Sequence, residues 1–234
     1  MRNYLTFGGI DSRDYGVYIS GTGVFNVPEK EYQYIEVPGR NGDLIGNLKR
    51  MSNIDVVYPA FIYSNFKENV RDFFSALMTV NGYARLQDSY YPTEFRMASF
   101  NGDVAVSPER LRAGEFDLSF YCKPQRWLTS GEAVQTYATA GTITNPSAFA
   151  AKPLIRVNGY GTVNIGSNVI TIVDVYPYID IDCEIMDCFY GNVNANDQVT
   201  FASNNFPTLV SGANSISFSG NVTSVEITPR WFRV

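Results

Sequence analysis

The alternation of hydrophobic and polar residues predicts a chain built mainly from β-strands. Short runs in which apolar and polar positions alternate recur along the sequence, and this is the pattern of half-buried strands. The clearest examples are residues 116–120 and 178–185. Turn-forming dipeptides separate many of the runs, and Asn41-Gly42 is a strong hairpin signal because both residues tolerate positive φ. The pattern therefore predicts a mainly β fold.

One segment has the period of an α-helix instead. Its apolar residues fall at helical spacing and form a single stripe: Phe66, Val70, Phe73, Phe74, Leu77 and Met78. Asn65 followed by Glu68 resembles a capping box, and Asn81-Gly82 supplies a stop signal. We expect one helix over residues 65–80 that packs on a sheet and closes a core.

The stretch at residues 120–127 divides the chain. A half-buried strand ends there because Pro124 has no N–H to donate to a sheet. We therefore interpret Lys123-Pro124 as an interdomain hinge. The assignment is an N-terminal β domain with the helix at residues 1–128, a linker rich in Gly, Ser, Thr and Ala at 129–151, and a β-sandwich of short, regularly spaced strands at 152–234.

Composition narrows the class of protein. The 16 Tyr and 16 Phe suit a sheet-rich chain, and the net charge of −5 argues against a large basic surface for nucleic acid or anionic lipid. No run approaches the roughly 20 apolar residues of a membrane helix, and no signal peptide is visible at the N-terminal end. Three cysteines do not suggest a disulfide framework. We expect a chain made in a reducing cytoplasm, without a membrane partner or a sequence-specific nucleic-acid partner.

The chain contains no histidine. This removes the Ser-His-Asp and Cys-His arrangements, the imidazole zinc sites and the usual general base at neutral pH. Paired carboxylates or a lysine could still support an enzyme. We nevertheless predict a protein that is not an enzyme, with no catalytic residue, no cofactor and no metal site.

An acidic strand is the main candidate for cation binding. Asp180, Asp182 and Glu184 alternate with apolar residues and could present oxygens to a cation such as calcium. Alternate residues on a strand lie roughly 6.5–7 Å apart, too far for all three to converge on one ion. We expect a solvated polar face there, with Cys183 on the apolar face as a small core residue.

Two tryptophans are the candidates for sugar stacking. Trp127 and Trp231 each lie beside an arginine at a predicted domain end. An exposed tryptophan could stack on a glycan, but tryptophan is usually largely buried. We expect both side chains to pack in the protein.

Four segments spread across nearly the whole chain carry a family resemblance. They are the aromatic-Gly-Gly opening with Asp14-Tyr15-Gly16-Val17, Val37-Pro38-Gly39-Arg40-Asn41-Gly42, Phe120-Tyr121-Cys122-Lys123-Pro124, and Asn205-Phe206-Pro207-Thr208-Leu209 followed by Gly212, Asn214 and Ile216. In their order and spacing they resemble the distal tail protein (Dit) family of long, non-contractile-tailed bacteriophages.

The resemblance implies an architecture and a role. It implies an N-terminal β domain with one helix that forms a hexameric ring, and a C-terminal galectin-like β-sandwich that projects outward. In such phages the ring is the baseplate hub at the virion's tail tip, assembled in the host cytoplasm. It joins the tail tube protein to the tail-tip or tail-associated protein and to the receptor-binding protein used in host attachment. DNA can pass through such a ring.

Two other functions remain as alternatives. The first is a carbohydrate-binding module of a tail-tip adhesin, although the galectin sugar-binding signature depends on histidine, which this chain lacks. The second is a tail-associated hydrolase, against which the missing histidine also counts.

Arg40, Asn41 and Gly42 are the predicted oligomer interface. Arg40 lies in a glycine-flanked turn, where an arginine is by default a free surface charge. Alternatively, its planar guanidinium pairs with a carboxylate of the neighbouring subunit. The sequence does not decide between the two.

Overall fold

A computed structural model of the chain describes residues 2–21, 23–102, 104, 106–110, 113–173 and 176–234. The protein is mainly β, as the alternation predicts. The chain divides into two compact units, the first formed by the residues up to Arg126 together with Val234, and the second by Trp127–Arg233. Among the described residues, no helix is both long enough and apolar enough to cross a membrane.

The first unit consists of strands, one 3₁₀ turn and the helix. The strands are Leu5–Phe7 (β1), Ile10–Asp11 (β2), Val17–Ile19 (β3), Lys30–Ile35 (β4), Leu44–Met51 (β5), Ile54–Ile62 (β6), Ala84–Asp88 (β7), Glu94–Ser99 (β8), Val106–Arg110 (β9) and Ala113–Cys122 (β10). The 3₁₀ turn is Ser12–Tyr15 and the helix, α1, is Phe66–Thr79.

Most of these strands form one antiparallel sheet in the order β2-β1-β7-β8-β10-β6-β3, with β9 beside β10. The sheet curls so that β3, at one end, contacts the chain just before β1, near the other end. There the Ile19 amide donates to the Asn3 carbonyl at 2.9 Å. Phe116, Leu118 and Phe120 of β10 all point into the core, as predicted. The sequence pattern places the start of this strand at Leu111, which lies outside the described residues.

Helix α1 covers this core as expected, but two details differ from the sequence prediction. Phe66, Phe73 and Leu77 are buried, whereas Met78, at the margin of the stripe, is 57% exposed. The capping box does not form, since Asn65 has φ +49 and its side chain makes no capping hydrogen bond. The Asn69 side chain instead donates to the Ser64 carbonyl at 3.2 Å.

The second unit is a β-sandwich. Its strands are Arg126–Leu128 (β11, which begins one residue before the unit), Gln135–Tyr137 (β12), Gly141–Asn145 (β13), Leu154–Asn158 (β14), Gly161–Ile165 (β15), Asn168–Ile172 (β16), Tyr178–Asp182 (β17), Asp187–Tyr190 (β18), Val193–Asn194 (β19), Val199–Phe201 (β20), Gly212–Gly220 (β21), Ser224–Thr228 (β22) and Phe232–Arg233 (β23). Two 3₁₀ turns, Thr129–Gly131 and Asn196–Gln198, complete the unit.

Two sheets enclose the sandwich core. One has the order β12-β22-β14-β17-β18-β19 and the other the order β13-β21-β15-β16-β20. Inward residues of both sheets, such as Ile155 and Ile181 in the first and Ile165 and Ile216 in the second, belong to one buried cluster. The predicted short strands therefore build a sandwich.

Residues 129–151, predicted as a linker between two domains, instead belong to the second compact unit. They contain β12, which pairs with β22, and β13, which pairs with β21. Both are edge strands, and β13 places one large apolar side chain, Ile143, in the core. Because Ile143 is the one large apolar residue of β13, this strand shows no clear alternation of apolar and polar residues. Its small and polar residues resemble the composition of a linker.

Candidate assembly surface

The two-stranded sheet of β4 and β5 is the candidate functional site. We call residues 30–51, which comprise the two strands and the loop between them, the arm hairpin. Within the described residues neither β4 nor β5 pairs with another strand. The hairpin thus has two free edges, whose unpaired N–H and C=O groups are available to another chain.

The register of the arm hairpin places apolar side chains on both of its faces. Tyr34 lies opposite Ile45 and Ile35 lies opposite Leu44. Residues directly opposite each other share a face, and neighbours along a strand point to opposite faces. Tyr34 and Ile45 therefore occupy one face, while Ile35 and Leu44 occupy the other.

These side chains are exposed to an unusual degree. Tyr34 and Ile45 are each 63% exposed, and Leu48 is 55% exposed. An isolated two-stranded hairpin is marginally stable at best in water. Burying each of these half-exposed side chains would contribute about 1 kcal/mol. A hairpin with two apolar faces gains the full stabilisation only when protein covers both faces. Its exposed apolar residues are therefore suited to burial against other protein chains.

Polar contacts fix the base of the arm hairpin. The Ser52 amide donates to the Glu29 carbonyl at 3.0 Å, and the Ser52 hydroxyl donates to Glu31 Oε1 at 3.1 Å. Arg50 Nε lies 3.5 Å from the same Glu31 oxygen. These bonds hold the two strands together at the open end of the arm hairpin.

The predicted interface residues Arg40, Asn41 and Gly42 lie in the loop of the arm hairpin and are exposed. The Arg40 amide donates to the Val37 carbonyl at 3.1 Å, and Gly42 has φ +78, a conformation that favours glycine. Among the described residues the Arg40 guanidinium has no ion pair within the chain. Both interpretations of Arg40, the free charge and the intersubunit pair, agree with this placement.

The predicted hinge follows β10. The Lys123 amide donates to the Met97 carbonyl at 2.8 Å, and its Nζ lies 5.1 Å from the centre of the Tyr83 ring. Pro124 is buried. Both residues are therefore held within the first unit, just before the chain enters the second.

The apolar residues of the arm hairpin were missed as site residues by the sequence reasoning. Their signal is present in the sequence, because Tyr34-Ile35 and Leu44-Ile45 are adjacent apolar pairs. An adjacent pair in a strand places one apolar residue on each face. The two adjacent apolar pairs on either side of the Asn41-Gly42 turn therefore predict a hairpin with apolar residues on both faces.

The acidic residues of β17 in the second unit are buried, although the sequence predicts a solvated polar face. Asp180 and Asp182 of β17 are 6% and 9% exposed. Arg156, opposite Asp180, donates Nε and Nη2 to its two carboxylate oxygens at 2.7 and 2.8 Å. This hydrogen bonding raises the pKa of Arg156. The Arg156 side chain on the neighbouring strand covers the Asp180 carboxylate and removes it from water. The alternation of residues along β17 cannot show this, because the covering side chain belongs to another strand.

Asp182 has a similar partner. Arg230 Nη1 and Nη2 donate to its two oxygens at 2.6 and 2.8 Å. Burial acts to raise the pKa of Asp182, but the hydrogen bond from Arg230, helped by the Glu184 amide, outweighs it and holds that pKa below its ordinary value. Both carboxylates are therefore structural ion-pair partners.

This polar sheet face also bears on carbohydrate binding. Asn158 donates to Ser224 Oγ at 2.9 Å and to Glu226 Oε1 at 3.0 Å, next to the Arg156–Asp180 pair. The face has amide, acidic and arginine groups of the kind that bind sugars, but these groups already bond to one another. A glycan would have to displace these bonds, which disfavours sugar binding there.

The tryptophans and cysteines are packing residues. Trp231 is 3% exposed within the sandwich core, and the half-buried Trp127 ring lies 5.5 Å from that of Phe232. Burial raises the pKa of Cys122, Cys183 and Cys188 to about 12 in each case. Such thiols stay protonated at neutral pH and make poor nucleophiles.

No family model matches the sequence, and no curated protein matches it. Among solved structures, the chain is similar to the crystal structure of the SPP1 Dit (gp 19.1) protein, described as a paradigm of the hub adsorption apparatus in phages that infect Gram-positive bacteria. The TM-score is 0.76 at 10% sequence identity, and the similarity covers 100% of both chains. The predicted resemblance is thus confirmed at the level of the fold.

Proposed function

We propose that this chain, which has the Dit fold over its whole length, is the distal tail hub of a long-tailed phage. The observation that carries the proposal is the full-length match to a hub protein, since it includes both units and not one common domain. The sequence segments that resemble the Dit family support the same role independently of the fold comparison.

The hub is proposed to be a ring of identical subunits in which the arm hairpin supplies contacts. Each hairpin has two apolar faces and two free edges, so it can contact protein on both sides at once. A subunit in a closed ring has one neighbour on each side. The number six comes from the family resemblance alone.

The ring is proposed to join the tail tube protein to the tail-tip or tail-associated protein and to the receptor-binding protein. It is placed in the virion at the tail tip, after assembly in the host cytoplasm, with the lumen open to DNA. Lys123-Pro124 is proposed to act as the hinge between a ring-forming unit and an outward-facing unit. The role requires no chemical step, in keeping with the protonated cysteines and the paired acids.

Native mass spectrometry and negative-stain imaging of the purified protein, alone and co-expressed with the tail tube protein, test the proposal. We expect closed rings of one size. A Tyr34→Lys/Ile45→Lys variant places two charges on one face of the arm hairpin, and we expect it to remain monomeric with an unchanged circular dichroism spectrum. A matched control, Val173→Lys/Val210→Lys, alters two comparably exposed apolar residues of the second unit and should still form rings.

The possible failures are distinguishable. If the arm hairpin variant forms rings as well as the wild type does, the proposed assembly surface is wrong but the hub role stands. If the wild type is monomeric both alone and with the tail tube protein, the hub role itself is contradicted.

A further inference from the structure

An arginine lies inside the sheet of the first unit. Strand β8 alternates so that Arg96 and Ala98 point to the interior, and Arg96 is 6% exposed. Its register partner on β7 is the buried Leu86. Among the described residues, neither Nη1 nor Nη2 of Arg96 has a hydrogen-bond partner. Buried charged groups are nearly always paired, so these two nitrogens require an explanation.

A small cavity adjoins this arginine. It has a volume of about 20 Å³, and its lining includes Arg96, Arg126, Asp88, Glu94 and Tyr58. A cavity of this volume holds one water molecule or one ion of similar size.

The carboxylates that line the cavity already have partners. The Tyr58 hydroxyl donates to Asp88 Oδ2 at 2.8 Å, and the amides of Tyr90 and Tyr91 donate to Asp88 Oδ1 at 3.0 Å each. Glu94 Oε2 lies 3.9 Å from Arg126 Nη1. Neither acid forms an ion pair with Arg96, although both are near enough to line the same space.

The groups left unpaired around the cavity are donors. Arg126 Nη2 donates to the Val24 carbonyl at 2.6 Å, but the buried Arg126 Nε has no partner. Together with Nη1 and Nη2 of Arg96, it completes a set of three cationic nitrogens without an acceptor. Asp88 and Glu94 offer acceptors for the two protons of a water molecule, but its oxygen would accept from at most two of the three donors. A monatomic anion accepts from all of them.

The electrostatics favour a negative occupant next to Arg96. Burial lowers the pKa of Arg96, and the positive charge of Arg126 lowers it further. Asp88 and Glu94 offset part of this positive charge, but Asp88 accepts from three other donors and Glu94 faces Arg126. An anion between the guanidinium groups would reduce their mutual repulsion.

We propose that this cavity binds a monatomic anion of the halide class, with chloride as the physiological ligand, through Nη1 and Nη2 of Arg96 and Nε of Arg126. The anion connects β8 to the segment that follows β10. The site is independent of the proposed hub role, because it depends on the interior of the first unit alone.

Thermal unfolding at constant ionic strength tests the site. Chloride is exchanged stepwise for gluconate, which is too large for the cavity. A ligand present at tenfold its dissociation constant should raise the Tm by about 3 °C or more for a chain of this size. Arg96→Met removes the charge and all the N–H donors of the guanidinium, including those on Nη1 and Nη2, while keeping most of the side-chain volume, so the Tm of this variant should not depend on the choice of anion. The control Arg71→Met removes an exposed arginine and should keep the chloride effect.

Bromide provides a readout that does not rely on a variant. Crystals of the wild-type protein grown in bromide should show an anomalous peak in contact with Arg96. An ordered water molecule alone at this position would overturn the proposal. So would equal Tm values in chloride and gluconate, or a chloride effect that survives in Arg96→Met.

Discussion

The arm hairpin and the sandwich of the second unit are built from similar strands but differ in what covers their apolar residues. In the sandwich, Ile179 and Ile181 of β17 are completely buried between two sheets. In the arm hairpin, Tyr34 and Ile45 are each 63% exposed although they lie directly opposite each other in paired strands. Strand pairing is therefore not what separates the two regions. The sandwich completes its core within one chain, whereas the hairpin has apolar surface left for another.

The ion pairs of the two regions also differ in burial: the sandwich pair is buried, and the arm hairpin pair is exposed. Asp182 of the sandwich is 9% exposed and receives two hydrogen bonds from Arg230. In the arm hairpin, the Arg50 side chain is 71% exposed and approaches Glu31 only to 3.5 Å. Exposed pairs of this kind contribute little, whereas a buried pair is costly to break. The comparison predicts that substitutions affect folding in the sandwich and association in the hairpin.

The largest expected effect is on the sandwich core. Ile181→Ala removes methyl groups from a fully buried position and should lower the free energy of unfolding by about 3–4 kcal/mol. The matched substitution Ile45→Ala in the arm hairpin should change it by less than about 0.5 kcal/mol, because that side chain is mostly in water. Urea unfolding at protein concentrations low enough to keep the chains monomeric measures both values. Similar losses at the two positions would contradict the proposed difference.

A smaller loss is expected from breaking the Asp182–Arg230 pair. Arg230→Met removes two hydrogen bonds to a largely buried carboxylate and should cost about 2 kcal/mol near neutral pH. Because the pKa of Asp182 is lower in the folded chain than in the unfolded chain, ionised Asp182 stabilises the fold above its unfolded pKa of about 3.9. That contribution is lost as the pH falls through the folded pKa.

The pH dependence separates this mechanism from lost packing. Urea titrations at pH 7 and pH 3 should show a narrower gap between the wild type and Arg230→Met at the lower pH. Arg71→Met, which alters the exposed pair with Asp72, is the control and should cost less than about 0.5 kcal/mol at both values. A gap that is equally wide at pH 3 would indicate that Arg230 acts through packing and not through charge.

The sequence was sufficient to predict the elements with strong periodicity. Helix α1 and strand β10 could be identified because each concentrates its apolar residues on one side. Edge strands such as β13 could not, because one buried side chain, Ile143, does not create an alternation. The fold as a whole was predicted from the ordered family-like segments, since local patterns alone do not specify how strands are arranged in sheets.

The candidate site was predicted only in part. Asn41-Gly42 located the turn, and the turn lies in the arm hairpin. The exposure of Tyr34 and Ile45 could not be predicted, because an apolar residue in a strand is ordinarily assigned to a core. The pairing of Asp182 with Arg230 joins residues 48 positions apart, and the sequence gives no distance between them.

The smallest effect on folding is expected for Arg40→Ala, and this variant decides between the two interpretations of Arg40. The exposed Arg40 side chain has no ion pair within the described part of its own chain, so its removal should change the free energy of unfolding by less than about 0.5 kcal/mol. If its guanidinium pairs with a carboxylate of a neighbouring subunit, native mass spectrometry of Arg40→Ala should show rings that dissociate at lower salt than wild-type rings.

Lysine keeps the charge but not the planar fork, so Arg40→Lys should restore such a contact only in part. Rings of unchanged salt resistance in both variants would identify Arg40 as a free surface charge, and the apolar faces of the arm hairpin would then account for the proposed assembly without it.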